Sequence, residues 1–120
     1  MSESTIVRSI IREVRRAYPK AYVRKLSDRF TRGLPDILIV LPWITLFVET
    51  KTKKGKPSTI QLHEAKSIKN AGGIIMIATD PKDVMEVIRT WSDFRGNHAI
   101  YDAAVKKLHK EISDLESTMT

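Results

Sequence analysis

The sequence predicts an α/β domain, a mixed central sheet flanked by helices. Three observations carry that expectation. Apolar residues recur at helical spacing in three segments. Two strand-like segments, the apolar run 37–41 and the stretch 44–51, are separated only by Pro42-Trp43, the spacing of a hairpin. A further short apolar run, 74–78, stands between two helical segments. The order helix, strands, helix, strand, helix is that of an α/β sandwich.

Each element has its own cause. Over Thr5 to Tyr18, Ile6, Val7, Ile10, Ile11, Val14 and Ala17 gather on one face, while Arg8, Arg12, Arg15 and Arg16 take the rest. Ser4 or Thr5 is placed to cap this helix and Pro19 to stop it. Ala21 to Leu26 alternates weakly as a first strand, and Arg29 to Gly33 reads as a basic loop. In the strand Ile44 to Lys51, Leu46 and Val48 share one face, and Phe47, Glu49 and Lys51 share the other. Ser58-Thr59-Ile60-Gln61 has the form of a capping box, opening a helix to about Ala71 that Gly72-Gly73 ends. Ile74 to Ala78, uniformly apolar, reads as a buried strand. Asp80-Pro81 opens the next helix, with Val84, Val87, Ile88 and Trp91 expected inward. After a break over Asp93 to Asn97, a last helix from Ala99 to Glu116 spaces Tyr101, Val105, Leu108, Ile112 and Leu115 as a heptad seam.

One domain is the expectation for 120 residues, divided as residues 1–92 for the body and 93–120 for an added C-terminal helical extension. Without cysteine, neither disulfides nor a thiolate zinc site can form. No apolar run approaches a membrane span, so no membrane partner and a cytoplasmic location are expected. The net charge of +7 and pI near 9.8 favour polyanionic partners.

Chemistry concentrates in Gly33-Leu34-Pro35-Asp36 and Glu49-Thr50-Lys51. Glu49 and Lys51 lie two apart on a strand and project from the same face. A turn back after Ile37 to Leu41 brings Asp36 alongside Glu49. Two carboxylates and an ammonium on one surface suit a divalent cation, a phosphate and a water, the elements of a nuclease centre. Mg²⁺ (or Mn²⁺) takes oxygen ligands and keeps several waters. Asp36 and Glu49 are the candidate metal ligands, with the Thr50 carbonyl as a further oxygen, and Lys51 is placed to orient water or stabilise developing charge. Alone, Asp36 after Pro35 is an ordinary turn residue and Glu49 with Lys51 an ordinary ion pair. Their conjunction favours function.

These residues resemble a known pattern. Gly33-x-Pro35-Asp36, then Glu49-x-Lys51, then Gln61 within a Ser-capped helix, is similar to the VRR-NUC (virus-type replication-repair nuclease) family of the PD-(D/E)xK superfamily. The resemblance covers roughly Ser4 to Ala78. It implies a restriction-endonuclease-like fold and a metal-dependent endodeoxyribonuclease with Asp36 and Glu49 as ligands and Lys51 as catalytic lysine. Small stand-alone members, encoded mainly by phages and bacteria, resemble Holliday-junction resolvases and act as homodimers. Branched DNA is therefore the implied partner, and a bacterial cell or phage-infected host the implied setting.

Two further site residues rest on that resemblance. Gln61 closes the capping box structurally, and the family pattern makes it an active-site residue; one conformation is not expected to serve both. Glu13, the only acid in the body of the arginine-rich helix, falls beside Ile6 and Ile10 and is either a surface partner of Arg16 or the family's N-terminal helical glutamate. Around the site, Lys53, Lys54 and Lys56 form one bank for backbone phosphates. Arg29 and Arg32, with Arg24 and Lys25, form the other. His63, His98 and His109 have no metal-ligand spacing and are assigned no role. The heptad seam either packs back on its own domain or pairs with a second copy, holding two active sites at a fixed separation.

Overall fold

A computed structural model describes residues 2–26, 32–96 and 99–118, except for the side chains of 94–96, 99–106, 108 and 109. The elements are α1 (Glu3–Ala17), β1 (Tyr22–Lys25), β2 (Ile37–Leu41), β3 (Ile44–Thr50), α2 (Thr59–Asn70), β4 (Ile74–Ala78), α3 (Pro81–Gly96) and α4 (Ala99–Thr118). The sheet runs β1-β2-β3-β4, with β1 to β3 antiparallel and β4 parallel to β3. The mixed sheet with flanking helices is the architecture the element order predicts.

Alternation along the strands sorts the two faces. Ile37, Ile39, Leu41, Ile44, Leu46 and Val48 share one face with Val23 and Ala78, and all are buried. Ile6, Val7, Ile10 and Val14 of α1 and Val84 and Ile88 of α3 complete that core. Trp43, in the β2–β3 turn, fastens its far end. Its indole N–H donates to the Ile88 carbonyl at 2.9 Å, and its ring meets Tyr18 edge-on with centroids 5.6 Å apart.

The opposite face is covered more thinly, because α2 has no buried residue and packs mainly along β4. β4 is accordingly an edge strand, not the buried strand its composition suggests. Ala78 is buried, but Ile77 is 46% exposed. Trp91 likewise sits at the rim, 38% exposed, while Val84 and Ile88 point inward as expected.

Helix boundaries also move. Ser2 caps α1, accepting from the Thr5 N–H, so the helix begins two residues before the expected start. α3 continues unbroken through Asp93 to Gly96, and the expected boundary at 92/93 falls within it. Asn97 and His98 lie outside the described residues. Among the described residues, no helix is long and apolar enough to cross a membrane.

Candidate active site

The site forms where β2 stops pairing with β3. The last ladder pair there is Ile37 with Val48, and continuing the antiparallel register sets Asp36 opposite Glu49. At that point the β3 backbone has no β2 strand beside it, and the Asp36 side chain takes the strand's place. Its Oδ2 accepts from the Thr50 N–H at 2.8 Å and from the Thr50 hydroxyl at 2.7 Å. Because a strand residue turns its N–H and C=O to the same edge, the Thr50 carbonyl faces this gap too. The next residue turns the other way, and the Lys51 N–H donates to the Ala78 carbonyl at 3.0 Å.

Glu49 is buried among these groups, its carboxylate flanked by three neighbours. Asp36 stands beside it, near enough for its charge to act on the Glu49 carboxyl. Gln61 Nε2 donates to its Oε1 at 2.8 Å. Lys51 Nζ lies 3.7 Å from the same oxygen. Burial first, and the charge of Asp36 second, push the Glu49 carboxyl up to about 7; Lys51 opposes the rise and Glu3 adds to it. Two adjacent acids, one poorly able to ionise alone, constitute a pocket short of positive charge.

Gln61 overturns the expectation that its two roles exclude each other. Its Oε1 accepts from the Ser58 N–H at 2.9 Å, while Ser58 Oγ accepts from the Gln61 N–H at 3.2 Å, so the capping box is complete. The amide nitrogen remains for Glu49. Gly33 lets α2 approach this closely. It has φ +80°, and a Cβ there would stand 2.7 Å from the Ile60 carbonyl oxygen.

Glu13 is not brought to the cluster. It lies 3.7 Å from Arg12 Nε and 4.0 Å from Arg16 Nη1, the surface pairing weighed as its structural alternative. The helical glutamate that reaches the site is Glu3, ten residues earlier and about 15 Å back along α1. Its Oε1 accepts from Lys51 Nζ at 3.3 Å. The sequence held a signal for it: Glu3 precedes Ile6 by three, Val7 by four and Ile10 by seven, on the line of the buried stripe.

Of the expected phosphate-binding residues, Lys53, Lys54 and Lys56 are exposed just beyond Lys51. Lys53 and Lys54 line a cleft of about 400 Å³ with Ile6, Thr52, Thr79 and Asp80. Arg32, Arg24 and Lys25 are exposed, and Arg29 lies outside the described residues. Among the described residues, no three His, Asp or Glu side chains converge as a ready cage. A hard cation that keeps its waters asks for less, one or two carboxylates, and the Asp36–Glu49 pair with the Thr50 carbonyl fits it.

A solved structure described as a VRR_NUC domain is similar to this chain. The sequences are 30% identical and the TM-score is 0.61, over 74% of this chain and 97% of that one. The chain belongs to the VRR-NUC domain family. No family model and no curated protein matches the sequence. The VRR-NUC fold thus stands on the structural likeness together with the sequence identity. In this VRR-NUC domain, Asp36 just before β2, Glu49 at the end of β3, Lys51 just after it and Gln61 of α2 meet at one point, and α1 reaches it through Glu3.

Proposed function

We propose that this chain is a divalent-metal-dependent DNA endonuclease, selective for branched structures in the manner of a Holliday-junction resolvase and active as a homodimer. The observation that carries the reading is the Asp36–Glu49 pair, two carboxyls set opposite each other at the end of the β2–β3 ladder, with Lys51 Nζ 3.7 Å from Glu49 Oε1. Paired acids with a raised pKa are unfavourable in a merely structural site and useful where a cation is to be held. Mg²⁺ or Mn²⁺ bound there supplies Lewis-acid polarisation of the scissile phosphate and acidifies a water.

The protein's own groups do the rest. Asp36, Glu49 and the Thr50 carbonyl offer oxygens to the cation. Asp36 is fixed for that task by both Thr50 donors. Gln61, locked at one end by the capping box, fixes the orientation of Glu49. Lys51, held between Glu3 and Glu49, points its ammonium where charge develops on phosphorus. The exposed Lys53, Lys54 and Lys56 bind backbone phosphates on either side of the cut. Support for the homodimer is that Ile112 and Leu115 of α4 are 44% and 63% exposed, so this part of the seam is not used against its own domain. We assign α4 as the dimerising extension.

The test is cleavage of four-way junction, flap, single-stranded and plain duplex DNA in Mg²⁺, Mn²⁺ or EDTA. The expected result is metal-dependent cutting, with the four-way junction preferred. Asp36→Ala and Glu49→Ala abolish it while binding persists, and Lys51→Ala loses about 10²–10³ in rate. Binding without cutting identifies a catalytically silent nucleic-acid-binding module of the same fold. Preference for flaps or plain duplex identifies a flap or restriction-type enzyme.

A further inference from the structure

The outer face of α1 plays no part in the site. Arg8, Arg12, Arg15 and Arg16 are all exposed and lie directly opposite the buried stripe of Ile6, Val7, Ile10 and Val14. All four cations of α1 are arginines, whereas α2 and α4 carry only lysines. Arginine presents a planar fork that matches phosphate oxygens two at a time, which an ammonium cannot do. Together with Ile11, the four arginines line a shallow hollow of about 560 Å³. Among the described residues, the ion pairs of these arginines are those with Glu13, at 3.7 and 4.0 Å from Arg12 and Arg16, distances at which a surface pair contributes little.

A second observation extends the face onto β1. Arg15 Nη2 and Arg24 Nη1 both donate to the Val23 carbonyl, at 3.0 and 2.9 Å. Two guanidinium groups are thereby gathered on one oxygen, like charge beside like charge. Arg24 is further held over the Tyr22 ring, 4.4 Å from its centroid. An anion between them would relieve the repulsion, and the shared carbonyl has already fixed their positions.

We propose that the outer face of α1, with Arg15 and Arg24 at its end, is a second phosphate-binding surface. It holds a nucleic-acid duplex away from the bond to be cut. This rests on the nucleic-acid part of the reading above and not on its catalytic part. Arg8 lies about 7.5 Å, and Arg16 about 20 Å, along the helix from Glu3. The surface therefore leads outward from the catalytic cluster and serves an arm of the substrate. An anionic membrane is the poorer occupant, because interfacial helices bury bulky apolar side chains, and here Ile11, the apolar residue lining the hollow, is half-buried and packs against the core.

The test is duplex binding in EDTA, where nothing is cut, by anisotropy of a labelled 30-base-pair DNA over a range of salt. Each phosphate contact adds about 0.9 to the slope of log K against log salt. Arg8→Gln/Arg12→Gln and Arg15→Gln/Arg24→Gln are each expected to flatten that slope by about 1 to 2. Arg15→Lys/Arg24→Lys recovers slope but not full affinity. Should the Arg15/Arg24 pair prove necessary for folding, Arg8→Gln/Arg12→Gln still decides, since both side chains are exposed. Unchanged slopes overturn the proposal, as does loss of binding to phosphatidylserine vesicles with duplex binding intact. Absence of cleavage alone would sink the nuclease reading and leave this one standing.

Discussion

Glu49→Gln is expected to stabilise the metal-free protein at alkaline pH, and the size of the effect follows from the site. The folded carboxyl titrates at about 7, against an ordinary 4.5, chiefly because it is buried and because Asp36 stands beside it. Between those values the folded state binds more protons than the unfolded chain, so stability falls as pH rises through the window. Below pH 4.5 the contribution is fully present; above 7 it is gone. At about 1.4 kcal/mol per pH unit the loss is about 3 kcal/mol. Glutamine imitates the protonated acid: its Oε1 still accepts from Gln61, and its nitrogen donates to Asp36. Urea unfolding in EDTA should therefore find the variant more stable than wild type by up to about 3 kcal/mol at pH 8 and by less than about 1 kcal/mol at pH 5. Adding Mg²⁺ at pH 8 should reverse the order. A cation at a thousand times its dissociation constant stabilises the wild type by about 4.1 kcal/mol, more than that deficit, and the variant by far less. A difference that does not change with pH would refute the reasoning, as would a variant less stable at pH 8.

Two further outcomes test the supports of the site. Gly33→Ala should cost well over 2 kcal/mol in urea unfolding, because it adds a clash 2.7 Å from the Ile60 backbone to the strain of φ +80°; Gly72→Ala, with φ +93° and open space around it, should cost only about 1–2 kcal/mol. Equal costs would mean that α2 does not depend on Gly33 for its approach. Thr50→Val removes the hydroxyl that donates to Asp36 at 2.7 Å and should weaken Mn²⁺ binding about 10- to 100-fold by calorimetric titration, with Thr50→Ser restoring it. Undiminished affinity in the valine variant would remove Asp36 from the ligand set.

The strands and the pairing of Asp36 with Glu49 were legible in the sequence because both are local consequences of a hairpin. Once Ile37–Leu41 and Ile44–Thr50 pair across Pro42-Trp43, register alone sets residue 36 against residue 49. Burial of β4 was not legible, since Ile74 to Ala78 is apolar wherever it lies, and only the strand order makes it an edge. Glu13 drew attention as the acid in the body of α1, when the informative quantity was alignment with the stripe. Position 3 lies on the line of Ile6, Val7 and Ile10, and position 13 at its edge. The start of the helix hid this. With Ser4 or Thr5 as the cap, Glu3 would fall outside α1; with Ser2 as the cap it occupies the first turn.

Gln61 shows why capping a helix and bonding a carboxylate of the candidate site need not compete. A primary amide has an acceptor end and a donor end, and the capping box uses only the acceptor. The donor, held still by that bond, meets Glu49 at 2.8 Å. The same economy recurs at Asp36, whose carboxylate satisfies a strand end through the Thr50 N–H and stands beside Glu49 at once. Both side chains occupy places where an element ends and its backbone donors lack a regular partner. A group that must be fixed for chemistry is fixed here by backbone that had to be satisfied anyway. The positions of Asp36 and Gln61 should therefore be rigid before any cation or DNA arrives.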